Sequence, residues 1–169
     1  MEFLELAKKR YSVRAYKSDP VEDDKLRQVL EAACIAPTPT NSQPFQLIVI
    51  HTAGKEKELN LIYNRPWFVQ APLIICAVGI PSQAWVRDDG RNYLDVAVAI
   101  IFDHLIMAAT DLGLGTCWVG KFEREPARKF LNLPKDTEPV VFTPLGYPAD
   151  QPKEKHRKPV TDLVRYEKW

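Results

Sequence analysis

Apolar residues recur at helical spacing in two segments near the N-terminus. Residues 2–9 predict a first helix, which the polar and basic stretch 10–14 brings to an end. A second helix is predicted to begin after Pro20 and to end before Pro37, since proline removes a backbone donor and restricts the residue before it. The apolar positions with the helical period are Phe3, Leu6 and Ala7 in the first segment, and Leu26, Val29, Leu30 and Ala33 in the second.

Short apolar runs rich in β-branched residues predict buried strands. The two clearest runs are residues 45–51 and 73–79. The proline-rich segment 37–44 between the second helix and the first strand is predicted to be a rigid polar loop. The remaining predicted elements are short helices at 55–63 and 125–131, strands at 116–119 and 140–143, and a turn at 144–148.

The longest apolar stretch, residues 92–112, predicts a helix that is apolar on nearly every face. Such a helix must be covered all round by the sheet, by other helices or by a second subunit. Charged residues interrupt it, which argues against a membrane span, because charge at the bilayer centre is costly. Gly113 and Gly115 can end the helix in a left-handed conformation, and His104 within it is expected to be a hydrogen-bonded core residue.

The mixing of helices and strands without an internal repeat indicates one three-layer α/β or α+β domain, residues 1–169, around a mixed sheet. The C-terminal part is polar and basic from 151 to 158. Apolar residues then return with Leu163, Val164, Tyr166 and Trp169. A freely disordered tail has little use for a large Trp, so the terminus is expected to dock on a surface such as that of a partner subunit.

Composition narrows the class of protein. A hydrophobic content of 46% and a net charge of +1 suit a globular protein and disfavour a nucleic-acid binder, which needs clustered, uncompensated positive charge. The N-terminus lacks the features of a secretory signal, so a cytoplasmic location is expected. Cys34, Cys76 and Cys117 are widely spaced without a His partner, and are predicted to be reduced, buried thiols with no metal site.

Two basic patches stand at opposite ends of the chain. Arg10, Ser12 and Arg14 alternate, so their side chains can converge on one face as a clamp for phosphate or a carbonyl oxygen. The alternative is a solvated helix end whose cations complement the helix dipole. The second patch, residues 155–158, is by itself typical of solvated surface. No dinucleotide fingerprint in the right context, phosphate loop or serine-nucleophile elbow is found.

The loop at 37–44 offers a third candidate site. Asn41 and Gln43 each carry an amide donor and acceptor on a backbone that prolines stiffen. Such amides can be preorganised toward a planar heterocycle. The alternative is an ordinary turn in which Asn41 caps its own backbone.

Five motifs in order along the chain resemble those of the nitroreductase family of FMN enzymes. Residues 10–14 (RYSVR) are similar to the family's RxSxR/K motif, and residues 36–45 (APTPTNSQPF) to its APSxxNxQPW stretch. Residues 113–120 (GLGTCWVG) resemble GLGTCWIG, and residues 144–148 (PLGYP) match the family's PLGYP turn. The fifth element is the C-terminal Arg157-Lys158-Pro159 followed by Leu163 and Trp169.

The resemblance implies a nitroreductase-like α+β fold with a mixed, mainly antiparallel sheet, a long buried central helix and a C-terminal extension onto the partner subunit. It implies a homodimer with two FMN molecules in the interface, each touched by both subunits. The residues it implies as FMN ligands are Arg10, Ser12, Arg157 and Lys155 at the phosphate, Arg14 at the pyrimidine edge, Pro37, Thr38, Pro39 and Asn41 from the other subunit, and the backbone N–H groups of Val119 and Gly120 near N5 and O4.

The activity implied is reduction of nitroaromatics, quinones or flavins by NADH or NADPH in a ping-pong hydride transfer at FMN N5. No side-chain acid or base is obligatory in that mechanism, so no catalytic residue is assigned. Two alternatives stay open: a flavin-dependent dehalogenase or dehydrogenase on the same scaffold, and a flavin-binding or storage protein without turnover. In a third alternative the chain binds no flavin, and the two basic patches are surfaces that bind another protein.

Overall fold

One antiparallel sheet forms the centre of the structure, a computed structural model that describes residues 2–169. Its strands are β1 (Phe45–His51), β2 (Leu73–Gly79), β3 (Gly115–Thr116) and β4 (Glu138–Gly146). They lie in the order β1-β2-β4-β3, and each neighbouring pair is antiparallel. The predicted mainly antiparallel sheet is therefore confirmed.

Helices cover both faces of this sheet. They are α1 (Phe3–Lys9), α2 (Asp23–Cys34), α3 (Glu56–Ile62), α4 (Pro66–Gln70), α5 (Leu94–Asp111), α6 (Arg124–Phe130) and α7 (Val160–Leu163), with single 3₁₀ turns at Pro39–Asn41 and Pro81–Gln83. None of the helices within residues 2–169 combines the length and hydropathy that a membrane span requires.

The central strand β2 shows why the fold has three layers. Every residue of β2 is buried, and successive side chains point to opposite faces of the sheet. Its odd-numbered residues from Leu73 to Ala77 pack in a cluster with α2 and α5. The even-numbered residues from Ile74 to Val78 pack with α3, α4 and α6. The continuous apolar run at 73–79 thus contributes side chains to two separate hydrophobic cores, one on each face of the sheet.

Three element boundaries differ from prediction. Helix α4 was not predicted, because a five-residue helix that begins at a proline leaves too few positions for periodicity to be visible. Strand β3 ends at Thr116, and beyond it only Val119 forms an isolated bridge to β4. Strand β4 runs through Pro144 to Gly146, where a turn was predicted. Proline has a φ that an extended strand accepts, so β4 continues through it.

Helix α5 is long and apolar as predicted, but it is not covered all round by this chain. One stripe of its surface, including Ala99, Asp103 and His104, is exposed. His104 is hydrogen-bonded as predicted, since its Nδ1–H donates to the Ile100 carbonyl at 3.0 Å, but it is exposed and is not a core residue. Gly113 ends the helix with a φ of +78°, as predicted.

On the surface of the chain one expectation is corrected and another stays untested. Cys34 is exposed at the end of α2, because it lies on the solvent side of that helix, whereas Cys76 and Cys117 are buried as predicted. The C-terminal tail, residues 151–169, is exposed almost throughout, and Trp169 is fully exposed. The apolar residues at the end of the tail, from Val160 to Trp169, are therefore not buried against the described chain, and their docking on a partner stays a prediction.

Candidate functional site

The segment after α1 is held against the sheet by one buried residue. Val13 is 1% exposed, and its N–H donates to the Thr116 carbonyl of β3 at 2.9 Å. The buried Tyr16 hydroxyl in turn donates to the Val13 carbonyl at 3.0 Å. Because Val13 points inward in an extended segment, its neighbours Ser12 and Arg14 point outward. The alternation predicted from the sequence is therefore present.

The chain returns to this segment directly after β4. The Ala149 N–H donates to the Ala15 carbonyl at 2.8 Å. The Tyr11 hydroxyl donates to Asp150 Oδ1 at 3.1 Å, and the Arg14 N–H donates to Asp150 Oδ2 at 2.8 Å. These contacts bring the start of the C-terminal tail onto the basic N-terminal turn.

A cavity of about 440 Å³ lies where the two ends of the chain meet, and we call it the cationic cavity. It brings together the four residues predicted to bind the phosphate, Arg10, Ser12, Lys155 and Arg157, and also Arg14, which was predicted to lie at the pyrimidine edge of the flavin. Its other lining residues are Tyr11, Asp150, Gln151, Lys153, Glu154 and His156.

The cations of this cavity crowd one another. The pKa of Lys155 is lowered from its ordinary value, first by burial and then by the neighbouring charges of Arg10 and Arg157. The Lys155 ammonium also donates to the Lys8 carbonyl at the end of α1. Like charges brought this close disfavour one another, and a bound anion would relieve that repulsion. The arrangement is therefore chemically suited to a phosphate or carboxylate.

Arg14 stands at the side of the cationic cavity. Its guanidinium lies 6.0 Å from the centre of the Trp67 ring and 3.4 Å from the Ser12 carbonyl. The Cys117 thiol lies beneath: burial raises its pKa, while Arg14 and a hydrogen bond from Ser12 oppose that rise. Arg14 thus extends the positive field of the cavity towards an aromatic surface.

A separate cavity of about 530 Å³ opens beside Gly120, next to Asp95, Lys121 and Phe122. The N–H of Gly120 has no hydrogen-bond acceptor among residues 2–169, so it is free to bind a ligand. The N–H of Val119 differs, because it donates to the Phe142 carbonyl at 2.9 Å. The Val119 N–H is thus engaged within the chain, and its predicted role near N5 and O4 of the flavin stays a prediction.

The loop predicted to line a planar heterocycle lies away from both cavities. Its residues Pro37, Thr38, Pro39 and Asn41 line neither of them. The backbone of the loop is strained: Thr40, Asn41 and Gln43 have φ values of 53°, 56° and 46°, in the left-handed region that side chains disfavour.

The polar groups of this loop are satisfied in part. The Gln43 side-chain amide donates to Asn41 Oδ1 at 3.1 Å, so these two side chains bind each other. Ser42 Oγ is buried and has no partner in the described chain. Strain together with an unpaired hydroxyl is typical of a segment that contacts a ligand or another chain.

Comparison with known proteins agrees with the motifs and the fold. The profile described as the nitroreductase family matches residues 7–66 and 60–147, which is most of the chain. The chain belongs to the nitroreductase family. The resemblance inferred from the five motifs is thereby confirmed.

Individual nitroreductase relatives cover nearly the whole chain. A crystal structure of a nitroreductase family protein from Clostridium difficile 630 superposes with a TM-score of 0.92 at 38% identity, over 100% of both chains. A protein of Bacillus subtilis named FMN reductase (NAD(P)H) is 30% identical over 165 residues, 88% of this chain and 66% of that protein. The NADH dehydrogenase of Thermus thermophilus is 25% identical over 94% of this chain and 92% of its own.

Sequence reasoning missed two residues of this nitroreductase site, Tyr11 and Asp150. Tyr11 stands between the motif cations and was passed over as a spacer. Asp150 comes directly after the segment 144–148 and carried no local signal, because its partners lie 136 and 139 positions away in the chain. Only the fold brings these residues to the cavity.

Proposed function

We propose that this nitroreductase is an FMN-dependent oxidoreductase that takes its electrons from NADH or NADPH, with residues 1–169 as one cofactor-binding domain. The observation that carries the proposal is the cationic cavity, in which Arg10 and Ser12 from one end of the chain meet Lys155 and Arg157 from the other. The names of the Bacillus subtilis and Thermus thermophilus relatives, FMN reductase and NADH dehydrogenase, support the choice of cofactor and donor.

The donors of the cationic cavity fit the phosphate of FMN. A phosphate monoester carries about −1.5 to −2 charge at pH 7 and three strong acceptor oxygens. Arg10 and Arg157 offer planar forks of N–H donors, Lys155 an ammonium and Ser12 a hydroxyl. The pKa of Lys155 is lowered first by burial and then by repulsion from Arg10 and Arg157, and a bound phosphate would offset that repulsion by attraction.

The flavin ring would lie beyond the phosphate, between Arg14 and the backbone of Gly120. Arg14 would place its positive charge near the pyrimidine edge, where it stabilises negative charge on the reduced ring. The free N–H of Gly120 would donate towards the N5 and O4 side. When bound, FMN supplies the hydride chemistry, and the residues of the chain bind it, orient it and set the charge around it.

The exposed apolar residues of the tail support a homodimer with FMN at the subunit interface. Val160, Leu163 and Tyr166 of the tail are between 65% and 86% exposed. Apolar surface of this extent marks an interaction site. The strained loop Pro37–Asn41 would reach the FMN of the other subunit. A cytoplasmic location stays a prediction.

The acceptors that fit this proposal are nitroaromatics, quinones or flavins, reduced in a ping-pong sequence in which the nicotinamide leaves before the acceptor enters. The residues of the chain act by binding, and no side chain is assigned as a general acid or base. The cavity beside Gly120 is open enough, at about 530 Å³, to admit such planar compounds in turn.

The first test is whether the purified protein retains FMN through the proposed residues. Protein reconstituted with FMN should be yellow and should release FMN on denaturation. Arg10→Ala and Arg157→Ala should each weaken FMN binding by about 1.5 to 3 kcal/mol, the loss expected for a hydrogen bond to a charged group. Arg27→Ala is the matched control, because Arg27 is exposed on α2 and pairs with Asp24 at 3.1 Å.

Fluorescence titration of FMN measures these affinities, and stopped-flow absorbance measures reduction by NADH and NADPH. Unchanged FMN affinity in both cavity variants would contradict the proposed phosphate site. Protein that binds FMN but oxidises neither nicotinamide would be a flavin-binding protein, and the oxidoreductase proposal would then be rejected.

A further inference from the structure

Asp150 lies where the C-terminal tail leaves the folded body of the chain. The Ala149 N–H bonds Ala15, and Pro148 forms a bridge with Tyr16. Beyond Asp150, no backbone hydrogen bond joins residues 151–158 to the rest of the described chain. Side chains make the remaining attachments, as when the Lys155 ammonium donates to the Lys8 carbonyl, so the direction in which the tail leaves depends on how firmly Asp150 is fixed.

Asp150 makes three hydrogen bonds to the turn that carries the N-terminal cations. Its Oδ2 accepts from the Arg14 N–H at 2.8 Å, its Oδ1 from the Tyr11 hydroxyl at 3.1 Å, and its carbonyl oxygen from the same hydroxyl at 3.0 Å. Burial and then the bond to Asp150 raise the pKa of Tyr11 to about 12, so this hydroxyl remains a donor at neutral pH.

The cations that these bonds hold together repel one another. Arg10 lies on the N-terminal turn, while Lys155 and Arg157 lie on the tail, and their mutual repulsion contributes to the lowered pKa of Lys155. Before an anion binds, this repulsion favours separation of the tail from the turn. A negative group that bonds the turn and belongs to the tail opposes that separation.

We propose that Asp150 is a positioning residue that holds the tail cations over the N-terminal turn and thereby preorganises the phosphate site. The inference rests on the proposed binding of FMN in the cationic cavity. A carboxylate beside an anion site would by itself weaken anion binding. Both oxygens of Asp150, however, already accept hydrogen bonds from Tyr11 and Arg14, so its charge acts on the turn. If Asp150 positions the tail, removing its carboxylate should weaken FMN binding. If it only repels the phosphate, the same change should strengthen FMN binding.

The test compares FMN with riboflavin, which lacks the phosphate, by fluorescence titration of the full-length protein. Asp150→Ala should weaken FMN binding about ten- to hundredfold, the range for lost hydrogen bonds to a charged group, and should leave riboflavin binding within about twofold. Asp150→Asn keeps one acceptor oxygen and should recover part of the FMN affinity. Asp88→Ala, at an exposed loop position, is the charge-matched control.

Each alternative outcome identifies a different error. Unchanged FMN binding in Asp150→Ala would show that Asp150 has no positioning role. Tighter FMN binding would show that its charge mainly repels the phosphate, which would also overturn the proposal. An equal loss for FMN and riboflavin would show a general structural role and would also overturn it. If the unaltered protein binds riboflavin as tightly as FMN, the proposed phosphate site itself is wrong.

Tyr11→Phe provides a second, milder variant if Asp150→Ala does not fold. It removes one hydroxyl donor to Asp150 and leaves every charge in place. We expect a several-fold loss of FMN affinity without a loss of riboflavin affinity, and an unchanged FMN affinity would count against the inference.

Discussion

Gly115 is the position where a single added methyl group should disturb both the fold and the site. A Cβ atom at Gly115 would lie 2.7 Å from one side-chain carbon of Val13 and 3.0 Å from two others. Real Cβ contacts are longer, so Val13 would have to move. Val13 is 1% exposed and packs with the buried Tyr16 and Ala71, which leaves it no free space to move into.

The expected cost of Gly115→Ala follows from overpacking in a filled core. Such insertions typically destabilise a protein by about 1 to 3 kcal/mol. The displacement would also reach the site, because Val13 lies between Ser12 and Arg14 and bonds the Thr116 carbonyl. We therefore expect a lower free energy of unfolding and, in the same variant, weaker FMN binding.

Urea unfolding followed by circular dichroism, at constant protein concentration without FMN, measures the first effect. Val13→Ala alone should cost roughly 1.6 kcal/mol or more for two buried methylene-sized groups. In the double variant both γ-methyl contacts are gone and only the Cβ of residue 13, at 3.0 Å, remains, so the combined loss should be smaller than the sum by at least about 0.5 kcal/mol. A Gly115→Ala variant within about 0.5 kcal/mol of the unaltered protein, or strictly additive losses, would refute the reasoning.

Three further predictions concern the core and the charges of the site. Phe68→Ala should lower the free energy of unfolding by about 3 to 5 kcal/mol, measured in urea, because Phe68 is fully buried with its ring 6.2 Å from that of Phe142. FMN affinity, titrated by fluorescence, should fall as pH rises through the lowered pKa of Lys155, since the neutral amine loses its attraction for phosphate; Lys155→Arg should retain affinity to higher pH. Arg14→Ala should lower the reduction potential of bound flavin, measured by spectroelectrochemistry, more than it lowers FMN affinity; an unshifted potential would contradict the place assigned to Arg14.

The elements that could be predicted from the sequence are those with a visible hydrophobic period or a continuous apolar run. Strands β1 and β2 have the predicted bounds, 45–51 and 73–79. β2 is buried at every position, whereas β1, at the edge of the sheet, is fully buried only at Ile50. Strand β4 was predicted too short, as 140–143, because the segment 144–148 was predicted to be a turn; the observed strand includes Pro139 and Pro144. Neither proline is paired with a residue of β3. The hydrogen bonds between β3 and β4 are therefore complete although both prolines lack an N–H group.

The cationic residues of the candidate site could be predicted from the sequence, but the hydrogen bonds that join them to the rest of the site could not. The cations at the two ends of the chain were identified from their motifs, and the cavity brings them together. The bonds of Asp150 to Tyr11 and Arg14 join positions more than 130 residues apart, and no local pattern reports such a pairing. The engagement of the Val119 N–H by Phe142 likewise follows from sheet pairing, which the motif alone does not specify.

The surfaces that the lone chain leaves uncovered are the same ones that the proposed dimer would use. The tail and the loop at 37–44 each carry a cost in the isolated chain: exposed apolar area in the tail, and left-handed backbone at Thr40, Asn41 and Gln43 in the loop. Burying one large apolar side chain contributes about 1.5 to 3 kcal/mol, so an interface that takes up Val160, Leu163 and Trp169 would offset a substantial part of that cost. The cationic cavity adds a further cost, because its charges repel until an anion binds. Association of two chains and binding of FMN would thus relieve separate costs in one assembly, which is a physical reason for the cofactor site and the subunit interface to coincide.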